Sequence, residues 1–405
     1  MPSPMEFETS QSNVKKGNEL KAQGNIEGAI ERYERAIELN PDRPAEIYTK
    51  LGKAFRQKRQ LDKALSSYLK AIEIDPSLSV PYLKLKYIPI APNRADEVIT
   101  CYRRAIDGNR KVPLVAYIRL GDLLTQQGKL KEAIECYKTA IYRKTRRKSA
   151  EFVKHQWNSQ NFRGPDFLIA GVGKCGTTAL SSYLDCHPQV LPALEKEIHF
   201  FNLKTNFCQG IDWYNAHFPA IPEHSEFITG EATPWYLNTR EVDRHIFEYF
   251  PQVKLIIILR NPVDRAFSQY NMHIEQGLET RSFEEVVDSE IEKLKQIDNP
   301  FEKSNIRKLG CLGIGMYVCF LERWMNRFPK HKFLILKSEE LNSNPDIVMK
   351  KVFSFLSLPD YNQINYKKYN PGSYSPIPKE IKRKLVNFFE PYNKKLKNYI
   401  NIDFW

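Results

Sequence analysis

The stretch GVGKCGTTAL, Gly171 to Leu180, gathers three glycines, a lysine and two adjacent threonines in one short run. Glycine lets a backbone turn tightly and approach an anion closely. Successive N–H groups can then point into one concavity, backed by a helix N-terminus. Lys174 adds charge, and Thr177 and Thr178 add hydroxyl donors. This is chemistry for holding a phosphate or a sulfate. The nucleotide pattern G-x-x-x-x-G-K-[ST] is only half matched: the second glycine falls at Gly176, but Lys174 precedes it and Thr177 stands in the lysine's place. A structural glycine turn is the plain alternative. Further on, Arg260 closes the apolar run VKLIIILR and Ser268 follows two helical turns later. They could grip a second phosphate, or the arginine could serve a structural ion pair. Between these points, Glu197 and His199 in EKEIHFFN alternate, so in an extended chain both face the same way. That suits an acid–base pair. A salt bridge from Glu197 to Lys174, or a structurally satisfied histidine, would look the same.

These residues need strands and helices to position them. DFLIAGV, Asp166 to Val172, reads as a buried strand, with the glycine loop after it and TALSSYLDCHPQV as a helix ending near Pro188. VKLIIILR, Val253 to Arg260, is apolar without alternation, as in a parallel sheet covered on both faces. Asn261 is placed to cap the next helix and Pro262 suits its first turn. KFLILKSEEL, Lys332 to Leu341, predicts a third strand, and NPDIVMKKVFSFL a helix after it. Alternating strands and helices imply an α/β domain with a mostly parallel sheet. Ligands in such folds bind beyond the carboxyl ends of the strands, where Lys174 and Arg260 fall.

The first third of the chain repeats itself. GAIERYERAIELNP, KALSSYLKAIEIDP, EVITCYRRAIDGNR and EAIECYKTAIYRKT align, with Tyr33, Tyr68, Tyr102 and Tyr137 spaced by 35, 34 and 35 residues and Ala36, Ala71, Ala105 and Ala140 keeping step. Two helices per unit, with small residues where they cross, resembles the tetratricopeptide repeat. Gly52 and Gly121 sit where that family has its glycine, and Pro41 and Pro76 where it ends each unit. The third repeat departs from it, because prolines interrupt YLKLKYIPIAPNRAD. The resemblance implies an all-α solenoid of about four repeats over residues 10–145, whose concave face would recruit a protein partner. The tyrosines at helical spacing read as packing residues.

Length and composition bound the rest. The chain has 405 residues, 42% of them apolar and 27% charged, an ordinary globular balance with room for two domains. No apolar run approaches the ~20 residues that span a bilayer, and the start MPSPMEFETSQSN shows no secretory signal. Seven scattered cysteines without metal spacing are expected as reduced thiols in a cytoplasmic protein; Cys311 and Cys319 are the pair that could lie close enough to bridge. Residues 1–150 hold 29 basic and 18 acidic side chains, and the rest 32 and 30, so the net charge of +13 belongs mostly to the N-terminal part. It peaks at RKTRRK, Arg143 to Lys148. That run reads as a solvated helix face and a basic linker over 146–164, or as a patch for an acidic partner.

The second part resembles a known family. FLIAGVGKCGTTAL, KEIHFFN, GIDWYNAHFP, GEATPWYL, LIIILRNPVDRAFSQYNMH, GIGMYVCFLERWMNRFP and SYSPIPKEIKRKLVNFFEPYNKKL, in this order, are similar to the sulfotransferases that use 3′-phosphoadenosine 5′-phosphosulfate (PAPS), most of all the heparan-sulfate type. The resemblance implies a P-loop-like parallel sheet over residues 165–405. It implies that Gly173, Lys174, Cys175, Gly176, Thr177 and Thr178 hold the 5′-phosphosulfate, that Arg260 and Ser268 bind the 3′-phosphate with Tyr317 nearby, and that Glu197 is the general base. Lys174 would stabilise the leaving oxygen and His199 would assist. Gly372, Ser373 and Tyr374 would belong to a loop closing over the nucleotide, although the lysine–glycine–arginine often found there is missing. The aspartate expected five residues after the base is Asn202. No metal is required. Trp213, Tyr214, Trp235 and Tyr236 could stack on sugar rings or pack in the core. The acceptor would be a glycan, glycolipid or small metabolite, and no nucleic acid is implied. The rivals are a P-loop kinase or NTPase with a displaced lysine, and a non-catalytic repeat adaptor.

Overall fold

The computed structural model describes residues 8–40, 45–108, 111–296, 310–367 and 375–402. The chain divides into two compact units, residues 1–144 and 145–405.

The first unit is built of helix pairs: α1 (Ser10–Ala22) with α2 (Ile26–Leu39), α3 (Ala45–Gln57) with α4 (Leu61–Ile74), α5 (Ser79–Leu85) with α6 (Pro92–Gly108), and α7 (Leu114–Gln126) with α8 (Leu130–Lys148). The repeated tyrosines and alanines are the buried seam: Tyr33, Tyr68, Tyr102, Tyr137, Ala36, Ala71, Ala105 and Ala140 are all buried. A glycine on the first helix explains how the pairs close. A Cβ on Gly17, Gly52 or Gly121 would come within 2.7, 2.7 and 2.6 Å of Tyr33, Tyr68 and Tyr137. The ring therefore lies flat against bare backbone. In the third pair the equivalent position is Lys86, and Tyr82 packs on Tyr102 instead, ring centres 5.3 Å apart. Its first helix is also short, 7 residues against 13 in α1, α3 and α7, because Pro89 and Pro92 supply no N–H to prolong it.

The second unit starts earlier than a linker would allow. Arg146, Arg147 and Lys148 form the last turn of α8, where cations suit the helix dipole. Helix α9 (Ala150–His155) then buries Phe152 against Leu191 and Ile221, with Val153, Trp157 and Phe227 around them. Much of 146–164 is thus helix and core rather than linker, drawn in by its aromatic side chains.

The second unit continues with β1 (Phe167–Gly171), α10 (Thr177–Leu184), α11 (Lys204–Phe207), α12 (Ile211–Asn215), β2 (Gly230–Ala232), α13 (Val242–Tyr249), β3 (Lys254–Leu259) and α14 (Pro262–Glu275). After it come α15 (Phe283–Lys295), α16 (Gly310–Gly313), α17 (Tyr317–Met325), β4 (Phe333–Lys337), α18 (Ser338–Ser343), α19 (Pro345–Leu356) and α20 (Lys379–Ile400). The four strands are parallel in the order β2-β1-β3-β4, with Leu168 beside Leu255 and Leu255 beside Phe333. Every residue of β1 is buried, as is all of β3 except Lys254. The order reverses direction between β1 and β3, which opens a crevice at their carboxyl ends. Asn261 caps α14 as its position predicts, accepting from the amides of Val263 and Asp264. The strand expected through Leu341 stops at Lys337, because Ser338, Glu339 and Glu340 open a helix in which acidic residues suit the first turn.

The close glycine–tyrosine contact is testable. Gly121→Ala forces a methyl into the Tyr137 ring, an overpacking that should cost about 1–3 kcal/mol. Hydrogen exchange should show lost protection in α7 and α8. Gly108→Ala, where an added Cβ meets nothing within 4 Å, should leave protection in its helix unchanged or raised.

Candidate active site

Two loops meet where the strand order reverses. The first follows β1. Gly171 is fixed by packing, since a Cβ there would lie 2.8 Å from that of Leu237, whose amide bonds the neighbouring Ala170 carbonyl at 2.8 Å. The chain then winds through Lys174 at φ 71° and Gly176 at φ 96°, both left-handed, into α10. A left-handed lysine costs about 1–2 kcal/mol, and such strain gathers at functional sites. Among the described residues, no acceptor meets the amides of Gly173, Lys174 or Gly176. Thr177 and Thr178 open α10, so their amides have no intrahelical acceptor. The Cys175 amide is spent on the Val172 carbonyl at 3.2 Å, and its side chain is fully buried. Burial pushes that thiol up to about 11. Cys175 is therefore a packing residue of the loop rather than a contact of an anion, which corrects the expectation for its side chain.

The second loop follows β3. Arg260 donates from its guanidinium to the Lys174 carbonyl at 3.3 Å, bracing the first loop. Its own carbonyl accepts from the Tyr317 hydroxyl at 2.8 Å. Tyr317 is buried, and its hydroxyl also lies 3.9 Å from Cys175 Sγ. So Tyr317 fixes the arginine and the loop from behind. Among the described residues neither Lys174 nor Arg260 has a carboxylate partner within ion-pair distance. Two cations with no such partner beside a rank of open amides are the chemistry needed to hold an anion. Arg260 also lines a cleft of about 240 Å³ with Asp264, Phe267, Ser375, Pro376, Ile377 and Lys382. Ser268 is buried on α14 and is not among the residues that line this cleft. Gly372, Ser373 and Tyr374 lie outside the described residues.

Glu197 and His199 sit on a segment held in an unusual shape. Both have left-handed backbones, φ 63° and 57°. The segment is pinned to β2: the Glu197 amide bonds the Ala232 carbonyl at 3.1 Å, and the amides of Ile198 and Phe200 reach Glu231 Oε2 at 3.4 Å and the Tyr236 hydroxyl at 3.2 Å. Glu231 is itself buried, and accepts from the hydroxyls of Tyr214, Tyr236 and Thr233 at 2.8, 2.7 and 2.6 Å. Burial raises its carboxyl above the usual range, while these donors pull the other way.

The carboxylate of Glu197 does not pair with Lys174. Its Oε1 takes Lys196 Nζ at 2.9 Å and its Oε2 lies 3.5 Å from His199 Nε2. Lys196 Nζ also donates to Thr178 Oγ1 at 2.8 Å, joining this segment to the glycine loop. His199 Nδ1 lies 3.2 Å from the Asn202 side-chain amide, so Asn202 orients the ring where an aspartate was expected. The hydrogen bond from His199, then that from Lys196, hold Glu197 down at about 2 against the opposing effect of burial.

Of the four aromatic residues expected at the acceptor, three are core. Tyr214 and Tyr236 are wholly buried with their hydroxyls on Glu231, and Trp213 packs on His217 and Phe200. None can stack on a sugar. Trp235 alone of the four is exposed, at 37%. The sequence reading missed Lys196, Glu231 and Lys382. Only the neighbouring Lys196–Glu197 pair was visible there, and adjacent residues of an extended strand face opposite sides.

Residues 164–374 match the model of the sulfotransferase domain, and residues 17–58, 45–78 and 114–145 match models of the TPR or tetratricopeptide repeat. The membrane-associated sulfotransferase kil1 of Dictyostelium discoideum is 28% identical over 315 residues, covering 59% of this chain and 66% of that protein. Heparan sulfate glucosamine 3-O-sulfotransferase 5 of Mus musculus is 33% identical over 253 residues, covering 57% and 70%. The chain thus spans about two thirds of the length of these two curated relatives. The crystal structure of a sulfotransferase from Alicyclobacillus acidocaldarius is 25% identical, covering 59% of this chain and 96% of that one, with a TM-score of 0.46.

The Glu231 cluster should behave as one unit. Glu231→Ala removes the acceptor of three buried hydroxyls, which should cost about 3 kcal/mol or more. The melting temperature should fall, and exchange protection should be lost first at the amides of Ile198 and Phe200.

Proposed function

The chain belongs to the sulfotransferase domain family, and we propose that it moves a sulfuryl group from PAPS to a hydroxyl or amine of an acceptor. The observation that carries this is the pair of cations, Lys174 and Arg260, at the ends of adjacent strands, with a carboxylate tied to the same loop through Lys196 and Thr178.

In this reading the open amides of Gly173, Lys174, Gly176, Thr177 and Thr178 and the Lys174 ammonium hold the 5′-phosphosulfate, while Cys175 packs behind the loop. Arg260 takes the 3′-phosphate in the cleft that Lys382 also lines, with Ser268 of α14 as its second donor. Gly372, Ser373 and Tyr374 would close over the nucleotide. The acceptor's lone pair forms a bond to sulfur as the bond from sulfur to the bridging oxygen breaks. The electron pair leaves with adenosine 3′,5′-bisphosphate, and the acceptor's proton passes to Glu197. Lys174 neutralises charge on the departing oxygen, and His199 keeps the carboxylate in place. No metal enters these steps. The acceptor is proposed to be a glycan, glycolipid or small metabolite, with Trp235 available to stack on a ring. The relative named for heparan sulfate glucosamine favours a glycan. The helix pairs would dock a protein partner. All seven cysteines are free, which suits a reducing, cytoplasmic setting. Among the described residues no helix is long and apolar enough to cross a membrane.

Labelled PAPS with acceptor panels tests the reaction. Lys174→Ala and Glu197→Gln should each lower transfer by about 10²–10⁴-fold, and unchanged turnover in both would defeat the assigned roles. Calorimetry should show adenosine 3′,5′-bisphosphate bound more tightly than ATP, with the preference reduced in Arg260→Ala. Equal binding of ATP would favour the kinase or NTPase reading. The pH dependence has a definite sign. A carboxyl held at about 2 stays ionised as pH falls from 8 to 5, so loss of this base should add no acidic limb to the rate in that range.

A further inference from the structure

Lys196 touches both halves of the site, although neither the loop pattern nor the acid–base pair calls for it. Its Nζ lies 2.8 Å from Thr178 Oγ1 on α10 and 2.9 Å from Glu197 Oε1. An ammonium has protons to give and no lone pair to accept with. It must therefore donate to both groups, and the Thr178 oxygen receives a proton it does not own. The hydroxyl's own proton is then left to point elsewhere, and the open amides of the loop are beside it. The contact with Glu197 is equally particular. Neighbours along an extended chain face opposite sides, and it is the left-handed backbone of Glu197, φ 63°, that brings the two side chains together.

We propose that Lys196 is a positioning residue that ties the Thr178 hydroxyl of the anion loop to the Glu197 carboxylate, so that the sulfuryl donor and the proton acceptor are presented together. The proposal rests on the sulfuryl-transfer reading above. Lys196 turns the Thr178 proton toward the donor's anionic end and holds the carboxylate within two hydrogen bonds of that hydroxyl. It adds a third cation to Lys174 and Arg260, and the only one of the three engaged with the base. The groups facing Glu197 are Lys196 and His199 on its own segment and the uncharged Thr178 on α10, with Glu231 of β2 bonded to the adjoining Ile198 amide. The side chain is 29% exposed, so it can be replaced without opening the core.

The test uses the full chain and two measurements that need no acceptor. In the first, calorimetry with PAPS compares Lys196→Met, Thr178→Val and the double variant. Each single change should weaken binding about tenfold, and the double variant should be no weaker than about tenfold, because both changes break the same link. Lys196→Arg should stay within about threefold of the unaltered chain. In the second, the carboxyl carbon of Glu197, assigned by its loss in Glu197→Gln, is titrated by NMR. Its midpoint should move up in Lys196→Met and stay low in Lys196→Arg. Losses that multiply in the double variant, or a Glu197 midpoint unmoved by Lys196→Met, would overturn the proposal. Failure of the unaltered chain to bind PAPS would instead overturn the sulfuryl-transfer reading, while the carboxyl titration would still report whether Lys196 holds Glu197.

Discussion

Glu231 is a buried carboxylate whose neighbours are three hydroxyls and an amide, with no cation paired to it among the described residues. Burying a charge is costly unless its lone pairs are filled, and here each oxygen accepts two hydrogen bonds. The donors come from the segment before α11 (Ile198), from α12 (Tyr214) and from the chain just beyond β2 (Thr233 and Tyr236), so one acid gathers segments distant in sequence. The segment bearing Glu197 and His199 can hold two left-handed residues because the amides on either side of His199 are already committed to this cluster.

The sheet supplies the other half of the frame. Because strand order turns back between β1 and β3, the chain leaves their carboxyl ends in different directions and a gap opens between the departing loops. Arg260 spans that gap to the Lys174 carbonyl, and Tyr317 locks the arginine from below. The anion site is thus a property of two neighbouring strand ends and a third element behind them. The adjacent helix N-terminus contributes unfilled amides, and the lysine and arginine contribute charge that no carboxylate among the described residues pairs with.

Much of this was legible in the residues. Unbroken apolar runs marked β1 and β3, Asn261 and Pro262 marked the start of α14, and the tyrosine–alanine spacing marked the helix pairs. The loop after β1 could be recognised from its glycines and hydroxyls. What stayed hidden depended on tertiary geometry. An aromatic residue near a site reads the same whether it is exposed or buried, and only the hydroxyl bonds to Glu231 show that Tyr214 and Tyr236 belong to the core. Lys196 was invisible because period-two reasoning assumes an extended backbone, and Glu197 is not extended. The basic stretch after Arg143 looked like a tether until Phe152 was seen to be buried.

The burial of Cys175 carries a practical corollary. Its thiol stays protonated and shielded at neutral pH, and reactivity follows the exposed thiolate. Cys186 and Cys208 are the exposed cysteines. A maleimide dye would therefore attach on the outside of the second unit and spare the glycine loop, so optical reporters can be fitted to the native chain without first stripping its sulfhydryls.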